Sequence, residues 1–125
     1  MANTILVCED NEVNVVLLRD ILAVDGYEIL EAADGRTGVS LAEETEPDLI
    51  IMDIQMPLMN GYDAMRALRE NPATRKIPIL AITSFAMVGD RERAMKAGAD
   101  EYISKPIDTR NIRGLVRRML RLEGG

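Results

Sequence analysis

Apolar runs of β type alternate along the chain with segments of helical pattern. Thr4 to Cys8, Tyr27 to Glu31, Leu49 to Met52, Ile79 to Thr83 and Glu101 to Lys105 read as strands, and a helical pattern follows each of them. Strand then helix, repeated, implies a parallel sheet covered on both faces. The first, third and fourth runs are almost wholly apolar, as strands buried on both faces must be, whereas the second and fifth mix in polar residues and read as edges. With right-handed crossovers, the order 2-1-3-4-5 satisfies this. The expectation is an α/β fold, a flavodoxin-like (βα)5 doubly wound parallel sheet whose ligand crevice lies beside strands one and three.

The helical segments vary in strength. Asn11 to Asp25 carries Val13, Val16, Leu17, Leu18, Ile21 and Leu22 broadly on one side, with Gly26 as a C-terminal stop. Asp34 to Thr45 is capped by Asp34 but weakened by Gly35 and Gly38, each costing about 1 kcal/mol relative to alanine. Tyr62 to Glu70 ends at Asn71-Pro72, and Asp90 to Ala97 ends at Gly98. The last helix, Asp108 to Leu122, places Ile112, Leu115, Val116 and Met119 at burying positions.

A chain of 125 residues holds one domain with a real core, so residues 1–125 are expected to be a single unit with no output domain. No apolar stretch approaches the roughly 18 residues of a membrane span, and the start lacks a basic signal region, so a cytoplasmic protein is expected. The lone Cys8 sits inside a strand run and reads as an inert core thiol. With no histidine and one cysteine, a zinc or copper site rich in nitrogen or sulfur is excluded. Net charge is −6, which argues against nucleic acid as a direct partner. Residues 106–125 depart from this: five arginines against Asp108 and Glu123 give +3, leaving −9 on the first 105.

The candidate chemistry lies where the strands end. Glu9, Asp10 and Asp53 follow directly on the first and third apolar runs, while the fourth ends on Thr83 and the fifth on Lys105. In a parallel sheet these residues emerge together at the carboxyl edge. Three carboxylates at roughly 4 Å repel by about 1 to 4 kcal/mol per pair, so positive charge must offset them. Lys105 and a divalent ion on oxygen ligands fit that need, Mg²⁺ first and Mn²⁺ as the alternative. An aspartate set between central strands, as Asp53 is, can act as a nucleophile and accept a phosphoryl group.

On these residues the chain resembles the receiver domains of two-component response regulators. The matching segments are Ile5-Leu-Val-Cys-Glu-Asp-Asn11, Asp48-Leu-Ile-Ile-Met-Asp53 with Met56-Pro57 and Gly61, Ile82-Thr-Ser84, and Tyr102-Ile-Ser-Lys-Pro106. The resemblance implies phosphorylation of Asp53 from a phosphohistidine of a histidine kinase or histidine phosphotransfer protein. It also implies Mg²⁺ held by Glu9, Asp10, Asp53 and the Gln55 carbonyl, with Thr83, Ser84 and Lys105 stabilising the phosphoryl group. A cis bond before Pro106 belongs to the same pattern. So does a switch in which Thr83 moves toward the phosphoryl group and Tyr102 turns inward, remodelling the surface of the fourth helix, fifth strand and fifth helix. Ser84-Phe-Ala-Met-Val-Gly-Asp90 is similar to single-domain receivers of bacterial cell division and polarity. Gln55 and Phe85 flank the site and are expected to tune hydrolysis.

Arg110, Arg113, Arg117 and Arg121 recur at steps of three and four, one stripe on the last helix. A solvated face that suits the helix dipole accounts for the stripe, and a docking surface for an acidic partner, with Arg91 added, is the sharper reading. The downstream target is open, as is the choice between a monomer and a phosphorylation-dependent dimer. Among rivals, a haloacid-dehalogenase-like phosphatase needs a second acid two residues after the nucleophile, where Gln55 stands. A nucleotide or flavin domain wants a glycine-rich turn after the first strand, and Cys8-Glu-Asp-Asn-Glu-Val-Asn14 has none. A receiver-like adaptor that is never phosphorylated would not need the full set of site residues present here.

Overall fold

A computed structural model describes residues 3–56, 58–84 and 88–124, with side chains through Arg121. Pro57, Phe85 and Met87, which the sequence motifs include, lie outside the described residues. The strands are β1 (Thr4–Cys8), β2 (Glu28–Ala32), β3 (Leu49–Asp53), β4 (Ile79–Thr83) and β5 (Glu101–Ser104). The helices are α1 (Glu12–Ala23), α2 (Gly35–Thr45), α3 (Gly61–Glu70), α4 (Asp90–Ala97) and α5 (Thr109–Gly124). All pairings are parallel and the order is β2-β1-β3-β4-β5, the doubly wound arrangement expected from the sequence. Every residue of β3 and β4 is buried, which is why those strands show no alternation, while β2 and β5 stay partly exposed at the edges.

Two apolar layers sandwich the sheet. Leu6, Ile50 and Met52 face Ala64, Met65 and Leu68 of α3 and Ala94 and Ala97 of α4. On the other side Ile5, Val7, Ile51 and Ile82 face Leu18, Ile21 and Leu22 of α1 and Ile112, Val116 and Met119 of α5. Gly38 explains the weak-looking second helix: a Cβ there would lie 2.6 Å from the Cys8 sulfur, so the missing side chain lets α2 close onto β1. Cys8 is fully buried and its thiol is pushed up to about 12, by burial first and then by Asp34, so it fills space and does not react.

The apolar face expected of α1 is corrected in part. Leu18, Ile21 and Leu22 are buried, but Val13 is 75% exposed and Val16 and Leu17 are more than a third exposed. At 100° per residue, the latter three fall on the side away from the sheet, so apolar residues occupy both faces and the sequence alone mixes them. Side-chain caps fix the amino ends of α1, α2, α3 and α5. Asn11 accepts from the Val13 and Asn14 amides, Asp34 from Thr37, Asn60 from Asp63, and Asp108 from Arg110 and Asn111.

One cation organises the far end of the α3 side. Arg69 donates to the carbonyls of Arg75, Ile77 and Gly98 and to Asp100, whose carboxylate also accepts the Ile79 amide. The turn into β4 and the turn out of α4 are thereby tied together.

Candidate functional site

The β1 end turns sharply because its polar groups are spoken for. The Glu9 amide donates to the Ala32 carbonyl at 2.9 Å, and the Asn11 amide donates to Glu9 Oε2 at 3.1 Å. Glu9 is thus drawn inward, 1% exposed, while Asp10 stays open to solvent. Asp53 closes β3 in register with Ile82 of β4 and is 2% exposed. The Gln55 amide donates to Asp53 Oδ1 at 2.9 Å, turning the chain beneath the carboxylate. Gly61 then brings α3 up against this turn: its amide donates to the Ile54 carbonyl, and a Cβ there would lie 2.6 Å from the Asp53 carbonyl oxygen. Only glycine fits that approach.

One carboxylate oxygen each from Glu9, Asp10 and Asp53 lies within 4.8 Å of the others. Lys105 Nζ reaches into the group, 2.7 Å from Glu9 Oε1 and 3.3 Å from Asp53 Oδ2. It is carried there by a backbone bond from its own amide to the Thr83 carbonyl, and the Lys105–Pro106 peptide bond is cis. Three acids against one ammonium leave the cluster two negative charges in excess when all are ionised. The strain shows in the proton affinities. Burial, then close approach to Asp53, raises the Glu9 pKa even though Lys105 pulls it down. For Lys105, burial opposes the charge, but the Glu9 and Asp53 carboxylates outweigh it and the pKa is raised.

This donor set suits a hard divalent cation. It is all oxygen, partly buried and under-compensated, and among the described residues the shielded Glu9 Oε1 is met by the Lys105 ammonium at 2.7 Å as an ion pair. The other expected residues are gathered around it. Thr83 is buried at the end of β4, and the Ser84 amide donates to the Gln55 side-chain oxygen at 3.3 Å.

Residues 5–117 match the response regulator receiver domain family. The chain belongs to that family. Among receivers and response regulators, the polar-differentiation response regulator DivK of Brucella ovis is 43% identical over 107 residues, which span 86% of this chain and 87% of DivK. The crystal structure of the receiver domain of sensor histidine kinase PA1611 from Pseudomonas aeruginosa PAO1 superposes with a TM-score of 0.89 at 35% identity. The match covers 96% of this receiver and 98% of that one, which has a magnesium ion coordinated in its active site cleft. The signal receiver domain of a signal transduction histidine kinase from Syntrophus aciditrophicus gives the same TM-score, 0.89, at 36% identity over 96% and 91% of the two chains.

Two groups at the receiver's periphery have defined surroundings. The Tyr102 hydroxyl is already shielded from solvent and unpartnered among the described residues, with burial and then Asp90 raising its pKa. The arginine stripe is divided. Arg113 grips Asp25 with two hydrogen bonds, at 2.8 and 3.1 Å, and Arg117 adds a third at 3.4 Å, so these two arginines clasp α5 to the end of α1. Arg91, Arg110 and Arg121 are exposed, with no ion-pair partner among the described residues.

Sequence reasoning missed a cluster beside Thr83. Arg93 of α4 stacks over the Tyr62 ring of α3 with 4.0 Å to its centroid, and Asp90, after burial, raises the Tyr62 pKa. These side chains and Gln55, Asn60 and Thr83 line an open cavity of about 320 Å³. The sequence hint was a tyrosine on the apolar face of α3 in a chain only 3% aromatic, but its arginine partner lies on another helix.

Proposed function

We propose that this receiver is a phosphorylation switch, acting in the cytoplasm, that takes a phosphoryl group onto Asp53 from a phosphohistidine of a histidine kinase or histidine phosphotransfer protein. The observation that carries the reading is Asp53 itself: a buried carboxylate at the end of a central strand, 3.3 Å from Lys105 and clustered with two further acids. An Asp53 carboxylate oxygen attacks phosphorus as the donor's N–P bond breaks, and the bonding electron pair leaves with the imidazole nitrogen. Glu9, Asp10, Asp53 and the Gln55 carbonyl would hold Mg²⁺, which supplies charge neutralisation for the transferring oxygens. Lys105 neutralises a further share, and the Thr83 hydroxyl and Ser84 donate to the phosphoryl oxygens.

Phosphorylation adds about −1.5 to −2 charges beside Thr83 and biases the packing of Tyr102 and α4. Output follows through protein contacts of the α4, β5 and α5 face. Gln55 sets how fast water regains the phosphoryl group, so turnover is slow self-hydrolysis rather than attack on small substrates.

Mass spectrometry after incubation with acetyl phosphate tests the reading. The wild type is expected to gain one phosphoryl group in Mg²⁺ or Mn²⁺, and neither without metal nor in Asp53→Asn. Failure of the wild type to become labelled would sink the switch, and steady turnover of many small phosphate esters would favour a phosphatase.

A further inference from the structure

Tyr102 stands on the edge strand β5 with its ring partly exposed, yet its hydroxyl oxygen is shielded from solvent and has no hydrogen-bond partner among the described residues. A buried hydroxyl without a partner is costly, so packing must hold the ring inward. The groups that do so lie on α3 and α4. Tyr102 packs against the apolar layer that contains Tyr62 of α3 and Ala94 and Ala97 of α4, and two alanines on the inner side of α4 leave room for a ring. Burial first, and then the Asp90 carboxylate, raises the pKa of both the Tyr62 and the Tyr102 hydroxyl, and Tyr62 adds to the effect on Tyr102, so the two phenols and this carboxylate are neighbours. Tyr62 is 6% exposed, and the Arg93 guanidinium lies over its ring, 4.0 Å from the centroid.

We propose that the stack of Arg93 on Tyr62 is a clamp that keeps Tyr102 turned inward whether or not Asp53 carries a phosphoryl group. The cation over the ring ties α4 to α3 and resists the parting of the two helices that would let the Tyr102 ring out. Among the described residues, the Asp53 carboxylate is met by the Gln55 amide and by Lys105, and neither belongs to the clamp. Tyr62 and Arg93 are therefore positioning residues, acting through Tyr102 and not on the phosphoryl group. The cavity that Tyr62, Asp90 and Arg93 share with Thr83 leaves Thr83 room to move on its own. The inference rests on the reading of Asp53 as phosphoacceptor and narrows the switch: Tyr102 is set beforehand, and Thr83 with the start of α4 is left to respond.

The test is nuclear magnetic resonance on the full chain, with and without acetyl phosphate and Mg²⁺. The Tyr102 side chain is read by its χ1 couplings and by relaxation of its ring protons from a neutral, soluble nitroxide. In the wild type, one rotamer and the same weak relaxation are expected in both conditions. Arg93→Ala should raise the relaxation of Tyr102 at least about twofold without acetyl phosphate, the order of change that loss of one exposed cation–π contact allows. Arg93→Lys, which keeps a cation for the ring, should recover most of the wild-type value. Tyr62→Phe keeps the ring face and should behave as wild type, and Arg91→Ala, an exposed arginine on the same helix, should change nothing. A wild-type ring that is strongly relaxed without acetyl phosphate and shielded with it would overturn the proposal. So would an Arg93→Ala protein indistinguishable from wild type, or one in which Tyr27 is released as much as Tyr102, the mark of general loosening. Asp53 labelling is followed by mass spectrometry in the same samples. An unlabelled wild type would count against the switch, while wild type against Arg93→Ala without acetyl phosphate still decides the clamp.

Discussion

Glu9 and Asp25 are both carboxylates in contact with a cation, Lys105 at 2.7 Å and Arg113 at 2.8 Å, yet the fold shifts them in opposite directions. Asp25 has two arginines to itself, and the hydrogen bond from Arg113 is the main cause of a lowered pKa. Glu9 shares one lysine with Asp53 and is more deeply buried, so desolvation wins and its pKa is raised. The first arrangement is closed. It joins helices from opposite ends of the chain and asks for nothing more. The second is left short of positive charge, which costs stability in the metal-free protein and creates affinity for a cation. An ion pair that stabilises a fold and an acid cluster left short of positive charge differ here in stoichiometry, not in residue type.

The largest effect should come from removing the excess charge. Glu9→Gln with Asp10→Asn is expected to weaken Mg²⁺ binding at least about a hundredfold in titration calorimetry, beyond the range reported for groups one shell further out. The same pair should stabilise the metal-free protein by about 1 kcal/mol, since a repulsion is gone. Next comes the close approach that holds the cluster in place. Gly61→Ala puts a methyl 2.6 Å from both the Asp53 carbonyl oxygen and Ile54 Cα, and urea unfolding should show a loss of about 1–3 kcal/mol together with slower labelling of Asp53.

Smallest is the pH dependence, where the two carboxylates act in separate windows. Asp25 is lowered from 3.8, so its contribution is present above that value and is lost as pH falls below it. Glu9 is raised from 4.5, so the metal-free folded state holds a proton that the unfolded chain gives up, and stability declines as pH rises from 4.5 through the folded value. Melting temperatures followed across pH in chelator should show both limbs. Asp25→Asn should flatten only the acid limb and lower the neutral melting point by a smaller amount than Gly61→Ala does.

The fold was legible because its central strands are buried on both sides and so run unbroken as apolar letters, while polar letters in β2 and β5 mark the edges. The site was legible for a related reason: a carboxylate directly after such a run has only the sheet edge to occupy. Contacts between distant helices were not. Asp25 and Arg113 are 88 positions apart, and in the sequence Asp25 marked only the end of a helix while Arg113 belonged to a basic stripe. The outer face of α1 misled because Val13, Val16 and Leu17 imitate a buried stripe, and periodicity does not say which apolar side meets the sheet. The expected end of β2, Glu31, fell one residue early for a local reason: Ala32 completes the ladder opposite Cys8, and its small side chain carries no strand signal.

The Arg69 hub has a consequence for how the molecule opens. One guanidinium satisfies carbonyls before β4 and after α4 and also holds the carboxylate that receives the Ile79 amide, so neither turn can fray without stranding the other's hydrogen bonds. Residues 75–79 and 98–100 are therefore expected to open as one cooperative unit, their amides exchanging with solvent water in one shared event when followed by hydrogen–deuterium exchange. The α4 segment between them is anchored at its carboxyl end.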